Sequence, residues 1–315
     1  MKPLVVITGP TAVGKTELSI KIAKAIDGEI ISADSIQVYK HMDIGSAKIT
    51  KEEMQGIKHY LVDEFEPDEE FNVHVFKEKT LEYMDKIYEA GKIPIIVGGT
   101  GFYIQSVLYD IQFNDEEIDS AYRKELENIA KEKGNDYLHN MLKEVDEESA
   151  LNIHKNNLKR VIRALEFYKN TGEKISTHNE EQSQNISPYN FVYFVLNDKR
   201  ELLYERINKR VDIMFDKGLV NEVKNLLNMG YTKDLVSMNG IGYKEVVDYI
   251  NGKYSLDATK EIIKRETRHF AKRQLTWFRR EKDVTMVNYF DYDSIDDTLK
   301  YMINTLREKD IIKND

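Results

Sequence analysis

The chain has 315 residues, enough for a central domain and one sizeable insertion, and its 41% apolar and 32% charged residues predict a globular protein. It contains no cysteine, which excludes a disulfide framework and a cysteine-based zinc site, and no apolar run approaches the ~20 residues of a membrane span, so we predict a cytoplasmic protein without a signal peptide. The net charge of −9 decides little about a nucleic-acid partner, because it averages over a basic region, residues 260–282, that has nine Lys and Arg against three acids.

Strands and helices alternate in the first hundred residues. Short, β-branched apolar runs predict strands that are buried on both faces of a parallel sheet, and apolar side chains at helical spacing predict the helices between them. The predicted strands are 4–8, 29–32 and 93–97; the predicted helices are 16–26 and one that contains Phe76, Met84 and Ile87 and ends near Gly91. This alternation is typical of a doubly wound α/β domain.

The pattern changes between residues 113 and 188, where no strand-like run occurs. Helical spacing is found at 121–133, 136–145 and 157–169, and a buried strand returns at 191–196. The simplest prediction is a helical domain, 113–188, inserted into an α/β core that consists of 1–112 and 189–315. Further helices are predicted at 199–217, 219–228 and 256–280, followed by an edge strand at 284–287.

The segment between the first strand and the first helix, GPTAVGKT at 9–16, matches the P-loop pattern G-x-x-x-x-G-K-[ST]. A chance match is expected in roughly one chain per hundred of this length, and the position between a strand and a helix supports the match. In such a loop, backbone N–H groups and the helix N-terminus bind phosphate, Lys15 adds a point charge, and the Thr16 hydroxyl can bind Mg²⁺. The alternative is a glycine-rich turn that binds no ligand.

A P-loop binds a polyphosphate without specifying which one. Nucleotide-hydrolysing enzymes and kinases need an acidic residue at the end of a hydrophobic strand to help hold the metal. The strand at 93–97 is instead followed by Gly98-Gly99-Thr100-Gly101, and the nearest acid is Asp34, after the second strand. Since strand C-termini face the ligand in a doubly wound sheet, we predict that Asp34, Thr100 and the P-loop converge. Asp34 is equally well explained as a turn or cap residue, and the glycines as a tight turn.

Two predicted helices carry basic side chains. In 157–169, Arg160 and Arg163 share a face opposite a predicted apolar stripe of Leu158, Val161, Ile162, Leu165 and Tyr168. In 256–280, the predicted core residues are Ile263, Phe270 and Phe278, and the remainder includes Lys264, Arg268, Lys272 and Arg279. Charge alone favours a solvated basic face in both helices. Trp277 is explained more simply by core packing than by base stacking, and the sequence leaves this question open.

Further segments follow the P-loop in a fixed order: ISADSIQVYKHMDIGSAK at 31–48, IIVGGTGFYIQ at 95–105, NNLKRVIRALE at 156–166, LYERINKRVDIMFDKGLVNEV at 203–223, GIGYKE at 240–245 and TRHFAKRQLTWFR at 267–279. In these segments and their spacing, the chain resembles the bacterial tRNA dimethylallyltransferase (tRNA isopentenyltransferase) family over nearly its whole length. It departs from the family pattern at Ser46, where Thr is common, and at Ile49, where Pro is common. The zinc finger of some eukaryotic members is excluded because there is no cysteine.

The resemblance implies a fold and a reaction. The fold is a P-loop doubly wound parallel sheet with an inserted, mainly α-helical tRNA-binding domain. The reaction transfers a dimethylallyl group from dimethylallyl diphosphate to the exocyclic N6 of the adenosine 3′-adjacent to the anticodon, and releases pyrophosphate. Mg²⁺, held by Thr16, is the implied cofactor, and the anticodon stem-loop of tRNA is the implied partner.

The resemblance also implies roles for individual residues, with Asp34 as the general base. The implied catalytic residues are Asp34, Lys15, Thr16 and Thr100, and the implied diphosphate-binding residues are Gly9, Pro10, Thr11, Ala12, Val13, Gly14, Lys15 and Thr16. The implied tRNA-binding residues are Asp34, Ser35, Ile36, Gln37, Thr100, Arg123, Lys159, Arg160, Arg163, Gly242, Tyr243, Lys244, Lys272, Arg273, Gln274 and Arg279.

Two other functions remain open on the sequence. A P-loop kinase of a small metabolite or nucleoside, with Asp34 holding the acceptor hydroxyl, accounts for the phosphate loop but not for the basic helices or the size of the insertion. An RNA-binding regulator with a vestigial nucleotide site is disfavoured by the intact Lys15, Thr16 and Asp34. We predict a monomer that binds tRNA and dimethylallyl diphosphate and no membrane.

Overall fold

The computed structural model describes residues 1–113 and 120–313. The strands are β1 (Lys2–Thr8), β2 (Gly28–Ala33), β3 (His59–Tyr60), β4 (Ile93–Gly98), β5 (Tyr189–Asn197) and β6 (Val284–Asn288). The helices are α1 (Lys15–Ile26), α2 (Lys51–Met54), α3 (Val73–Glu89), α4 (Gly101–Leu108), α5 (Ser120–Lys133), α6 (Asn135–Val145), α7 (Glu147–Asn152), α8 (Leu158–Thr171), α9 (Ile175–Ser183), α10 (Arg200–Asp216), α11 (Leu219–Asn228), α12 (Tyr243–Ile250), α13 (Leu256–Phe278) and α14 (Ile295–Glu308). These elements form two units, residues 1–108 with 188–315 and residues 109–187.

The first unit is built on a parallel sheet with the strand order β3-β2-β4-β1-β5-β6. β1 lies inside the sheet, where Val5 pairs with Ile95 of β4 and with Val192 of β5. The apolar run from Leu4 to Ile7 is fully buried, as expected for a strand that is covered on both faces. The predicted α/β class with a parallel sheet is therefore confirmed.

The position of the first helix follows from its apolar spacing. Leu18, Ile22 and Ile26 recur every four residues and are buried on one face of α1. The helix ends at Asp27, which adopts the left-handed conformation with φ of 50° and bonds back to Ala23 O. α1 thus connects the loop that follows β1 to the start of β2.

The predicted strands and long helices are present, with ends shifted by a few residues. The short elements β3, α2, α4, α7, α9 and α12 and the longer α14 were not predicted. Two core predictions are wrong: Phe270 on α13 and Tyr168 on α8 are each 37% exposed. Their neighbours Ala271 and Phe167 are buried instead, because one step along a helix rotates a side chain by about 100°.

The second unit contains α5 to α9 around its own apolar core, whose members include Leu126, Leu138, Leu142, Val161 and Leu165. A buried carboxylate joins its later helices. Asp146 accepts hydrogen bonds from the backbone N and hydroxyl of Ser149 (3.0 and 2.6 Å) and from the backbone N and hydroxyl of Ser176 (3.0 and 2.7 Å). Across both units, none of the described helices is long and apolar enough to cross a membrane.

Candidate active site

The loop from Gly9 to Gly14 connects the end of β1 to the start of α1. Three of its residues have left-handed backbone: Gly9 with φ of 145°, Ala12 with φ of 63° and Gly14 with φ of 98°. A Cβ on Gly9 would also lie 2.5 Å from the carbonyl oxygen of Leu196 on β5, so glycine is required there twice over. This is the strand–loop–helix geometry that a phosphate-binding loop needs.

Lys15, the first residue of α1, folds back over this loop. Its Nζ donates to the carbonyl oxygens of Gly9 (3.0 Å) and Pro10 (2.9 Å). Burial, with the nearby charge of Arg210 in second place, lowers the pKa of Lys15 to about 8, against the opposing attraction of Asp34. The adjacent Thr16 is an exposed residue in the first turn of α1.

Arg210 on α10 is a site residue that sequence reasoning missed. Burial lowers its pKa, and Asp34 and Glu53 counteract this effect electrostatically. Arg210 is half-buried and has no hydrogen-bond or salt-bridge partner among the described residues, so its guanidinium is an unpaired cation near Lys15 and Asp34 that a bound anion would neutralise. The signal was in the sequence, because Arg210 lies inside the segment 203–223.

Asp34 follows β2 directly and forms a turn. Its Oδ1 accepts hydrogen bonds from the backbone N–H groups of Ile36 (2.9 Å) and Gln37 (3.2 Å). The predicted turn role is thus present, and it uses one carboxylate oxygen; Oδ2 has no hydrogen-bond partner among the described residues. Asp34 can therefore hold its turn and still offer an oxygen to a ligand.

Thr100 lies beside Asp34 because β2 and β4 are neighbours. Ala33 pairs with Gly98 at the ends of these strands, and the backbone N–H of Thr100 donates to Ala33 O at 3.3 Å. β4 in turn neighbours β1, which leads into the Gly9–Thr16 loop. The carboxyl ends of three adjacent strands thus carry Asp34, Thr100 and the loop, as the strand order requires.

The glycines after β4 make room for their neighbours. A Cβ on Gly98 would lie 2.1 Å from Ala33 O, and one on Gly101 would lie 2.1 Å from Nε1 of Trp277. Trp277 is half-buried, and its ring meets that of Phe102 edge-on with centroids 6.5 Å apart. The tryptophan is therefore mainly a packing residue between α13 and this turn.

The segment after Asp34 is held in place by side-chain bonds. The Gln37 amide donates to Ser46 O and Ala47 O, both at 3.2 Å, which closes the loop on itself. Ser35 and Ile36 are half-buried. Ser46, which departs from the family pattern, donates its hydroxyl to Met42 O at 2.6 Å, a bond that threonine could also make.

Glu222 on α11 anchors the same segment from outside. Its carboxylate accepts hydrogen bonds from the backbone N–H groups of residues 43 (3.0 Å), 44 (2.7 Å) and 45 (3.0 Å) and from the hydroxyl of Tyr243 (2.9 Å). Tyr243 is fully buried and packs where a Cβ on Gly45 would clash at 2.5 Å. Tyr243 thus supports the loop from within the core, and Gly242 before it adopts φ of 103° to start α12.

The basic residues that were predicted to bind tRNA differ in solvent exposure and in their partners within the protein. Lys272, Arg273 and Arg279 are exposed in the first unit, and Lys159, Arg160 and Arg163 are exposed in the second. Arg123 is tied to the buried Glu166 by two hydrogen bonds of 2.7 Å, and Lys244 lies 3.7 Å from Glu245. Gln274 is nearly buried and bonds to the Gly9–Thr16 loop through Thr11 N (2.9 Å).

A cavity of about 570 Å³ lies along the C-terminal half of α13. Its wall combines the cations of Lys272, Arg273 and Arg280 with Trp277 and Glu281. Burial raises the pKa of Glu281 to about 7, and Gln105 donates to its Oε1 at 2.9 Å. Glu281 was not predicted as a site residue, and its burial favours the protonated, neutral form of its carboxyl group.

Comparison with known proteins identifies the family. The profile of the IPP transferase family matches residues 37–281. A tRNA dimethylallyltransferase of Lachnoclostridium phytofermentans is 60% identical over 99% of this chain and 100% of its own length, and one of Acetivibrio thermocellus is 54% identical over 97% of this chain and 98% of its own length. This chain belongs to the IPP transferase family.

Solved structures agree with this family assignment. The full-length tRNA isopentenylpyrophosphate transferase of Bacillus halodurans is 43% identical, with a TM-score of 0.74 and 98% of both chains covered. A eukaryotic dimethylallyltransferase acting on tRNA is 29% identical, with a TM-score of 0.82 over 98% of this chain and 80% of that one. The resemblance seen in the sequence segments is confirmed, and a kinase is not favoured.

Proposed function

We propose that this chain transfers a dimethylallyl group from dimethylallyl diphosphate to N6 of the adenosine 3′-adjacent to the anticodon in tRNA. The observation that carries the proposal is the meeting of two features at one sheet edge in a member of this family. One is a glycine loop with two half-buried cations, Lys15 and Arg210, and the other is the carboxylate of Asp34, which has one oxygen free of hydrogen bonds among the described residues.

The diphosphate of the donor occupies the Gly9–Thr16 loop. As the bond between the allylic carbon and the diphosphate oxygen breaks, negative charge builds up on the leaving oxygens. Backbone N–H groups of the loop, the start of α1 and the charges of Lys15 and Arg210 stabilise this charge without rearranging. Pyrophosphate leaves, and the allylic carbon forms its new bond with N6.

Asp34 accepts the proton that N6 loses. An exocyclic adenine amine is a poor nucleophile until a base takes its proton, and a positioned carboxylate typically supplies 10²–10⁴-fold in rate. The Oδ1 bonds to Ile36 N and Gln37 N fix the carboxylate plane, so Oδ2 is the oxygen that faces the substrate. The adenine leaves its stack to reach this edge of the sheet.

Thr16 is the residue that would hold Mg²⁺. Thr16 is exposed at the start of α1, beside the loop, which suits an ion that keeps several waters and binds diphosphate oxygens. Within the described residues, no group of three or more His, Asp or Glu could hold a metal alone, so the diphosphate itself would supply ligands. When bound, the ion would neutralise charge on the leaving oxygens.

The tRNA is bound by the basic residues of both units. Lys272, Arg273 and Arg279 on α13 and Lys159, Arg160 and Arg163 around α8 present their charges to solvent. Tyr243 acts through the Asp34 segment, because it is buried and cannot meet RNA directly. We further propose that the protein works as a cytoplasmic monomer.

The deciding experiment incubates the purified protein with unmodified tRNA, Mg²⁺ and labelled dimethylallyl diphosphate, in parallel with ATP. We expect label on tRNA that carries the target adenosine, no label on tRNA in which another base replaces it, and negligible ATP hydrolysis, since no acid follows β4. ATP turnover without prenyl transfer would contradict the proposal and support the kinase hypothesis.

A further inference from the structure

Gln274 ties α13 to the phosphate loop and to the turn after β4 at once. Its Oε1 accepts a hydrogen bond from the backbone N–H of Thr11 at 2.9 Å, and its Nε2 donates to the carbonyl oxygen of Gly99 at 3.0 Å. The side chain is 7% exposed, in contrast to Lys272 and Arg273 next to it on the helix. Both ends of the amide are therefore used inside the protein.

The fit at this point depends on glycine. A Cβ on Gly99 would lie 2.2 Å from Nε2 of Gln274, although Gly99 has no left-handed backbone that would demand glycine for conformation. The amide of Gln274 occupies the space that a side chain at residue 99 would need. Only an amide of this length can accept from one backbone and donate to the other, because a glutamate lacks the donor and an asparagine is shorter by one carbon.

The bond to Thr11 acts on the conformation of the phosphate loop. Thr11 immediately precedes Ala12, which holds φ of 63°, and the loop then turns so that Lys15 can bond to Gly9 O and Pro10 O. Since the N–H of Thr11 donates to Gln274, this bond holds the peptide that precedes Ala12 and the amides after it. A residue 263 positions away in the sequence thus bonds directly to the backbone of the phosphate loop.

We propose that Gln274 is a positioning residue for the diphosphate loop, and that it does not contact tRNA. The inference rests on the proposed function, because it takes the loop as the diphosphate site. It separates α13 into two roles: an exposed face with Lys272 and Arg273 for tRNA, and a buried amide that shapes the donor site. The family resemblance alone had grouped all three residues as tRNA contacts.

The test replaces Gln274 by Met, which keeps the size of the side chain and removes both hydrogen bonds. Calorimetry with inorganic pyrophosphate and Mg²⁺ should show about tenfold weaker binding, the effect of roughly one to two hydrogen bonds. Binding of an anticodon stem-loop should stay within about twofold, since the exposed basic face is untouched. Lys272→Gln is the matched control on the same helix, with pyrophosphate binding kept and stem-loop binding weakened.

A second variant, Gly99→Ala, reaches the same contact from the other side. It pushes the Gln274 amide away from residue 99, so it should also weaken pyrophosphate binding, and the double variant should be little worse than either single one. In transfer kinetics, the donor KM should rise while the KM for tRNA is unchanged. Thermal unfolding of each variant identifies any that fails to fold, and Gln274→Asn then serves as the replacement.

The inference would be overturned by unchanged pyrophosphate binding of folded Gln274→Met, or by stem-loop binding that falls as much as pyrophosphate binding. Additive losses in the double variant would also contradict it, because they would mean that the two residues act separately. If the wild-type protein binds pyrophosphate but transfers no prenyl group, the proposed function is refuted. The comparison of pyrophosphate binding between wild type and Gln274→Met would still test the role of Gln274.

Discussion

At the scale of single residues, the site gives one side chain two tasks. Asp34 caps its own turn with Oδ1, and its other oxygen has no hydrogen-bond partner among the described residues. Lys15 bonds to two loop carbonyls while its ammonium loses solvent, which is why its pKa falls towards neutrality. A residue that looks like a turn former in a sequence can therefore also be the reactive group.

The substitution Asp34→Asn tests the proposed base. Asparagine keeps an oxygen for the N–H groups of Ile36 and Gln37 but replaces the free oxygen by an amide that takes no proton at neutral pH. We expect kcat to fall by about 10²–10⁴-fold with little change in pyrophosphate or tRNA binding. Single-turnover transfer within a few-fold of wild type would reduce Asp34 to a turn residue. Asp34→Ala should additionally lose about 1 kcal/mol of stability, because the turn loses its cap.

The lowered pKa of Lys15 predicts how donor affinity depends on pH. Below pH 8 the amine is protonated and attracts the diphosphate; as pH rises past 8 it becomes neutral and the attraction is lost. Binding of pyrophosphate should weaken by about tenfold per pH unit above 8. The variant Lys15→Ala should bind pyrophosphate less tightly than wild type by roughly 1.5–3 kcal/mol. Its affinity should not fall further above pH 8. The measurement is calorimetry of wild type and Lys15→Ala from pH 6.5 to 9.5, and the difference between the two proteins cancels the effect of pyrophosphate's own ionisation. If both affinities fall in the same way with pH, Lys15 is not the titrating group.

At the scale of elements, helices divide their work between faces. α13 buries Ile263, Ala271 and Phe278 and exposes Lys272 and Arg273, while α8 buries a stripe and exposes Arg160 and Arg163. The apolar stripe was predicted from spacing, except where Phe270 and Tyr168 were placed one position off. The basic faces followed from the same spacing, because side chains three apart on a helix lie together.

Salt dependence tests the basic face of α8. If Arg160 and Arg163 contact single-stranded phosphates, each should contribute about −0.7 to the slope of log affinity for tRNA against log salt. Replacing either by Gln should reduce the slope by that amount. Lys300→Gln, an exposed lysine on α14 whose side chain is 75% exposed, is the control and should leave the slope as it is. Unchanged slopes in both arginine variants would mean that α8 has only a solvated face.

Asp146 links the later helices of the second unit, so its replacement tests how much this link contributes to stability. Burial alone would raise its pKa, yet hydrogen bonds from the backbone and hydroxyl groups of Ser149 and Ser176 together hold the pKa below its usual value. The stabilisation is therefore present at neutral pH and is lost as pH falls below the ordinary aspartate range towards the folded-state pKa. Asp146→Asn should cost about 2–3 kcal/mol in unfolding free energy. Denaturant unfolding at pH 7 and pH 3 should show the difference between variant and wild type shrinking at the lower pH.

At the scale of the whole molecule, the sequence determined what is local or contiguous. Five of the six strands of the sheet, the loop geometry around Gly9 to Thr16 and the family were all predictable from the sequence, because apolar runs, a fixed glycine spacing and long ordered segments carry them within short stretches of chain. The two-residue β3 was beyond such reasoning, since His59 and Tyr60 extend only because they pair with Ile30 and Ile31.

The tertiary structure decided which distant residues share the site. Arg210 reaches Lys15 and Asp34 from α10, Glu222 holds the loop after Asp34 from α11, and Gln274 meets Thr11 across 263 positions. All three residues lie inside segments that carry the family resemblance, 203–223 and 267–279, but the sequence does not show these contacts, because each depends on how helices pack on the sheet. Gln274 and Glu222 could equally have been surface polar residues, and only their hydrogen bonds to loop backbone in the folded protein distinguish them from such residues.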